Sequence, residues 1–80
     1  MDKSKSVVSI NEYGKINVNL KEIMDNKNIT RNYLARASNT RFEVINKWYK
    51  NDVEKMDLDV LARICYVLDC SPSDILTYRK

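Results

Sequence analysis

Apolar residues recur along this chain at spacings of three and four in five stretches, each separated from the next by a few polar residues. Ile16, Leu20, Ile23 and Met24 keep a helical period, with Lys27 able to lay its stem along the same stripe. A first helix is therefore expected from about Asn17 to Asn26, with Asn28 ending it and Ile29 packing inward. Thr30 is placed to cap a second helix, since its hydroxyl can accept from amides left unpaired at a helix start. Leu34 and Ala35 point that helix inward. Ala37, Ser38 and Asn39 then read as a tight turn, with Asn39 in a left-handed conformation.

A third helix buries Ile45, Trp48 and part of Tyr49, which leaves Phe42, Glu43, Asn46, Lys47 and Lys50 on other faces. Asn51 closes it, again as a left-handed residue. The chain has a single Gly, so Asn28, Asn39 and Asn51 stand where Gly is usual, each at a small cost in stability. After a loop from Asp52 to Met56, Asp57 caps a fourth helix whose inward residues are read as Leu58, Leu61, Ala62, Cys65 and Leu68. Ser71-Pro72-Ser73-Asp74 has the form of a capped start, with Pro at the first helical position and an acid three beyond the cap. It opens a brief fifth helix that offers Ile75 and Leu76 to the core and leaves Tyr78 near the end.

Residues 1–14 do not fit this pattern. They are polar at first and then alternate loosely through Val7, Val8, Ile10 and Tyr13, and read as an N-terminal arm that is partly disordered or holds a short strand. An unpaired strand edge there is also open to exchange between subunits.

Eighty residues, 44% of them hydrophobic, suffice for one core without a disulfide framework or structural metal. The net charge of +3 is unevenly spread. Lys15 to Lys50 carries eight Lys or Arg against three Asp or Glu, whereas Asn51 to Lys80 carries four against six. Positive charge thus gathers on the first three helices, which suits a polyanion. No apolar run approaches the ~20 residues of a membrane helix, and the start lacks the apolar core of a signal peptide, so a cytoplasmic protein is expected. Cys65 and Cys70 lie five apart near one helix, a spacing suited to neither a disulfide nor a zinc site. There is no His, so both are read as small core residues of a reducing compartment. No nucleophile is paired with a base, and no glycine-rich phosphate loop is present; Asp57 and Asp59 are explained by capping and the helix dipole. The expectation is a protein that is not an enzyme and has no cofactor, metal or small-molecule ligand.

The stretches NLKEIM, NITRNYLARAS, VINKWY and MDLDVLARICYVLDCSPSDIL, in this order and spacing, resemble the Cro and phage-repressor type of helix-turn-helix regulators, the XRE family. The resemblance runs from Ile16 to Tyr78. It implies an all-α, five-helix, lambda-repressor-like DNA-binding domain over residues 15–80, with the helix-turn-helix in helices two and three and the arm of residues 1–14 ahead of it. It also implies that the residue after the second helix's cap, here Arg31, holds a phosphate, and that Lys50 and the amides near Asn51 meet the DNA backbone. Tyr33 reads as half-buried, the favoured reading, or as touching a phosphate through its hydroxyl.

The family's base-reading positions fall on Arg41, Phe42, Glu43, Asn46 and Lys47. Lys47 can donate to guanine, Glu43 can accept from cytosine N4, Phe42 can pack on a thymine methyl and Asn46 can pair with adenine. Arg41 can reach guanine or phosphate. Two features depart from the family pattern. Asn39 replaces the usual Gly, and Arg41 stands where a small polar cap is usual, so Thr40 is read as the cap, boxed with Glu43, which would draw Glu43 away from bases. Phe42 can instead tuck against the second helix, and Trp48 is read as core. Lys21 and Arg36 are read as solvated face charges.

The function this implies is a sequence-specific DNA-binding transcription regulator, a repressor acting as a homodimer on a two-fold site in double-stranded DNA. Two alternatives stay open: the antitoxin of a toxin pair, and an adaptor that has kept the fold and lost DNA binding. The basic third-helix face argues against the adaptor, and the lack of an obvious neutralising tail against the antitoxin.

Overall fold

The computed structural model describes residues 12–80. Five helices surround one core: α1 (Leu20–Lys27), α2 (Arg31–Ala37), α3 (Phe42–Tyr49), α4 (Leu58–Leu68) and α5 (Pro72–Ile75). They are joined by a two-stranded antiparallel sheet of β1 (Lys15–Val18) and β2 (Leu76–Arg79). The fold is therefore mostly helical with a small sheet, and the all-α expectation is corrected on that point.

The sheet also corrects the first and last helices. Residues 15–18, placed partly in the first helix by their apolar period, instead form β1, with Ile16 opposite Tyr78 and Val18 opposite Leu76. Asn19 donates its amide to the Ile75 carbonyl at 2.7 Å, and Val18 donates to Asn51 Oδ1 at 2.7 Å, so the strand is fixed from both sides. Ile16 is left 58% exposed, since it sits toward the distal end of the sheet rather than on an amphipathic stripe. Leu76 is half-buried in β2, not in the fifth helix. Gly14, just before β1, passes so close to the end of β2 that a Cβ would meet the Arg79 carbonyl oxygen and lie 2.7 Å from Lys80 Cα. The strand possibility within the arm lies, for residues 1–11, outside the described residues.

The three asparagines close their elements in left-handed conformations, with φ of 56° at Asn28, 52° at Asn39 and 58° at Asn51. Asp69 does the same for α4 at φ 51°, which the sequence did not mark. After each of these four residues the next amide reaches five residues back: Ile29 to Met24, Thr40 to Ala35, Asp52 to Lys47 and Cys70 to Cys65, at 2.9, 2.8, 2.9 and 3.1 Å. Helix starts follow expectation at three places. Thr30 Oγ1 accepts from the Tyr33 amide, Asp57 Oδ1 accepts from Asp59 and Val60, and the Asp74 carboxylate accepts from the Ser71 amide.

Leu20, Met24, Leu34, Ile45, Ile64, Leu68 and Ile75 are fully buried, with Trp48 at 3% exposure among them. In α4 the buried face is Val60, Leu61, Ile64 and Leu68, turned slightly from the expected stripe. Leu58 is 75% exposed and Ala62 is also outside. This helix is apolar on most sides, so period alone leaves its phase ambiguous. Lys27 is exposed rather than laid along the core. Cys65 and Cys70 pack at the edge of the core as partly buried free thiols. Burial, and then the neighbouring Cys65, push the Cys70 thiol up to about 11.

Candidate nucleic-acid interface

The turn between α2 and α3 is built from short-range hydrogen bonds and from two that Arg63 of α4 donates to it. Ser38, 2% exposed, donates its hydroxyl to the Leu34 carbonyl at 2.6 Å, and the Thr40 amide reaches the Ala35 carbonyl at 2.8 Å. Asn39 supplies the left-handed residue that reverses the chain. Thr40 is not the cap of α3. Its hydroxyl donates back to the Ser38 carbonyl at 3.1 Å, and the cap position is Arg41, whose side chain makes no capping bond. The expected Thr40–Glu43 box is thus absent because the Thr40 hydroxyl is committed to the turn. The Glu43 carboxylate makes no hydrogen bond or ion pair within the described residues.

From this start α3 buries Ile45 and Trp48 and turns Glu43, Lys47 and Lys50 to solvent, with half-buried Asn46 on the same side. Arg41 and Phe42 stand at its N-terminal end. Phe42 is 42% exposed and lines a shallow groove toward α2 with Asn32, Arg36, Thr40 and Arg41. Tyr33 is 52% exposed on α2.

Arg31 and Asn46 are brought together. Arg31 donates from Nη1 to Asn46 Oδ1 at 2.7 Å, and its guanidinium lies over the Tyr49 ring at 4.6 Å from the centroid. Tyr49 in turn donates its hydroxyl to Asp25 at 2.9 Å, and Lys21 binds the same carboxylate at 2.9 Å with its ammonium 5.6 Å from the ring. Hydrogen bonds from Lys21 and then Tyr49 hold the Asp25 carboxyl below its ordinary value, while Asp25 raises Lys21. Two consequences follow for the expected roles. Arg31 is held with further donors to spare, as a phosphate ligand needs, whereas the Asn46 oxygen is already occupied. Pairing with adenine would use that oxygen's second lone pair together with the amide nitrogen, so the Arg31 bond restricts how Asn46 can turn toward a base.

Asn51 is exposed, yet its polar groups are bonded within the fold. Its Oδ1 accepts from Val18, its Nδ2 donates to Asn17 Oδ1 at 3.3 Å, and its amide and that of Asp52 cap α3 through the Trp48 and Lys47 carbonyls. The Asn51 and Asp52 amides, expected near a phosphate, are thus bonded within the fold, and Lys50 beside them is exposed. Lys21 and Arg36 are exposed as expected, although Lys21 joins the Tyr49 cluster rather than standing alone. Sequence reasoning missed Tyr49 as a cation platform and Arg63 as a ligand of the turn. The i,i+4 spacing of Asp59 and Arg63 was visible, but nothing local showed that Arg63 reaches the turn. Among the described residues no group of three or more His, Cys, Asp or Glu could hold a metal, and no helix is long and apolar enough to cross a membrane.

Two helices joined by a tight turn, the second laid outward with a polar, partly basic face, define a helix-turn-helix DNA-binding domain. The chain belongs to the family of the Cro/C1-type HTH DNA-binding domain, whose model matches residues 19–80. Similar solved structures include a protein from Bacteroides fragilis described as DNA-binding, with 21% identity and a TM-score of 0.69 over 79% of this chain and 100% of that one. Another is the transcriptional regulator VanUg, with 22% identity and a TM-score of 0.68 over 91% of this chain and 96% of that one. At such identities the two structures share the fold. No curated protein matches the chain.

Proposed function

We propose that this protein is a sequence-specific transcription regulator that represses by occluding a promoter, bound as a homodimer to a two-fold site. The observation that carries this reading is the division of labour on the outward surface. Arg31 is pre-positioned by Asn46 and Tyr49, while Glu43 and Lys47 project from α3 without partners among the described residues. The first arrangement suits a fixed phosphate oxygen, since the entropy of ordering the guanidinium is already spent; the second suits base edges in the major groove.

In this reading Lys47 donates to guanine, Glu43 accepts from cytosine, Phe42 meets a thymine methyl, and Arg41 takes guanine or a nearby phosphate. Arg31, Tyr33 and Lys50 grip the backbone, and Asn46 orients Arg31. A homodimer follows from size, because one such module contacts too few base pairs to discriminate a site within a genome.

The test is a comparison of Lys47→Ala and Arg31→Ala on a preferred duplex and its single-base variants. Lys47→Ala should cost roughly 1–3 kcal/mol on the preferred duplex alone. Arg31→Ala should weaken every duplex alike and lower the salt slope by about one. Equal losses from both variants on all duplexes would refute the assignment.

A further inference from the structure

Arg63 lies on α4, outside the helix-turn-helix, yet it is bonded to the middle of the turn. One terminal nitrogen, Nη1, donates to two successive carbonyls, Ser38 at 2.9 Å and Asn39 at 2.6 Å. These belong to the residues between α2 and α3, where the helical ladder of neither helix can serve them. The buried Ser38 carbonyl also accepts from the Thr40 hydroxyl at 3.1 Å, a neutral and longer bond than the one from Arg63, and burial makes water a poor substitute for either. The Arg63 Nε is itself buried and lies 3.1 Å from Asp59 Oδ2 without hydrogen-bond alignment. Asp59 is 77% exposed, so this ion pair is screened and holds the side chain only loosely. The charge-assisted bonds to the turn are the stronger interaction.

We infer that Arg63 is a positioning residue for DNA recognition, which sets the angle of α3 against α2 from the far side of the turn; this rests on the proposed function above. The turn is short, and Asn39 at its centre is a left-handed non-glycine residue with no intrinsic preference strong enough to hold one geometry. Holding both carbonyls on one nitrogen fixes the orientation of two successive peptide planes. Arg41 and Phe42 begin two residues later, so a change in those planes is carried directly into where the first turn of α3 meets the bases. The Arg63 side chain does not touch DNA in this account. Its loss should degrade discrimination between base pairs while the number of phosphate contacts stays the same.

The full-length protein is used to select duplexes from a randomised pool, and the enriched duplex and its single-base variants are then titrated by fluorescence anisotropy over a salt series. Wild type, Arg63→Met and Arg63→Lys are compared at a temperature where circular dichroism shows each to be folded. Arg63→Met should lose about tenfold in discrimination at the base pairs facing the start of α3, the low end of what a lost base contact costs. Its salt slope should be unchanged, and Arg63→Lys should recover part of the discrimination. Should the Met variant not fold, the Lys variant carries the same reading, because its shorter stem cannot hold both carbonyls at bonding distance.

Unchanged discrimination in a folded variant overturns the inference. So does a salt slope lowered by about one, which would make Arg63 a phosphate ligand. If wild type enriches no duplex at all, the proposed function has failed and this inference with it, an outcome distinct from the other two.

Discussion

Replacing Asn46 with alanine separates a residue that reads a base from one that holds another residue in place. The Arg31–Asn46 bond is short, at 2.7 Å, and one partner is charged. Such bonds contribute roughly 1.5–3 kcal/mol when well shielded. Arg31 is only half-buried, and its stacking on Tyr49 at 4.6 Å survives the substitution, so the share lost is discounted to about 1 kcal/mol. If that share appears in binding, the dissociation constant rises about fivefold for every duplex. The assay is a double-mutant cycle of Arg31→Ala and Asn46→Ala, read by anisotropy on a preferred duplex and on variants with single base changes. Asn46→Ala should weaken all duplexes by a similar factor and add little once Arg31 is gone. A loss confined to one A·T pair, undiminished in the Arg31→Ala background, would refute this reasoning and make Asn46 a base reader.

Other outcomes follow from the fold. Gly14→Ala drives a Cβ into the Arg79 backbone, but the contact lies at the end of the sheet, so fraying relieves it more cheaply than a buried clash. The expected cost is about 1 kcal/mol, or a fall of roughly 4–8 °C in Tm, and a loss of more than twice that would mean the sheet end does not yield. Asp25 is depressed by Lys21 and Tyr49, and Asp74 by Ser71, both from an ordinary value of 3.8. A depressed carboxyl contributes stability that is present above its unfolded value and lost as pH falls through the folded one. Urea midpoints should therefore drop below about pH 4, and less so in Asp25→Asn; an equal drop in that variant would remove Asp25 from the account. The Cys70 thiol, raised to about 11, should be alkylated by iodoacetamide at pH 8 far more slowly than a free cysteine, as followed by mass spectrometry; equal rates would contradict its burial.

How much of this was legible in the sequence depended on the range of the interaction. The helix-turn-helix was readable because Thr30, Asn39 and the Ile45–Trp48 spacing act within a few residues. The sheet was not, since Ile16 gains its strand partner from Tyr78 at the other end of the chain, and Ile16 fits a helical period with Leu20 and Ile23 as well. In α4 the wide apolar surface hid which of Leu58 or Ile64 turns inward. Among the site residues, the outward placement of Glu43, Lys47 and Lys50 follows from helical period. The commitments of Asn46, Asn51 and Thr40 do not, because each depends on which neighbouring group their short polar side chains reach first. Arg63 belongs with these. Its spacing from Asp59 suggests a surface pair, whereas its main partners lie on the turn.

The central claim, that the outward surface of α3 reads DNA, is tested most directly by titrating the purified protein against the DNA upstream of its own gene and against a scrambled duplex over a range of salt. A preference of ~1000-fold or more for the upstream DNA, with affinity for both duplexes falling steeply as salt rises, is the result expected of a sequence-reading regulator. Binding to neither duplex at low salt would contradict it.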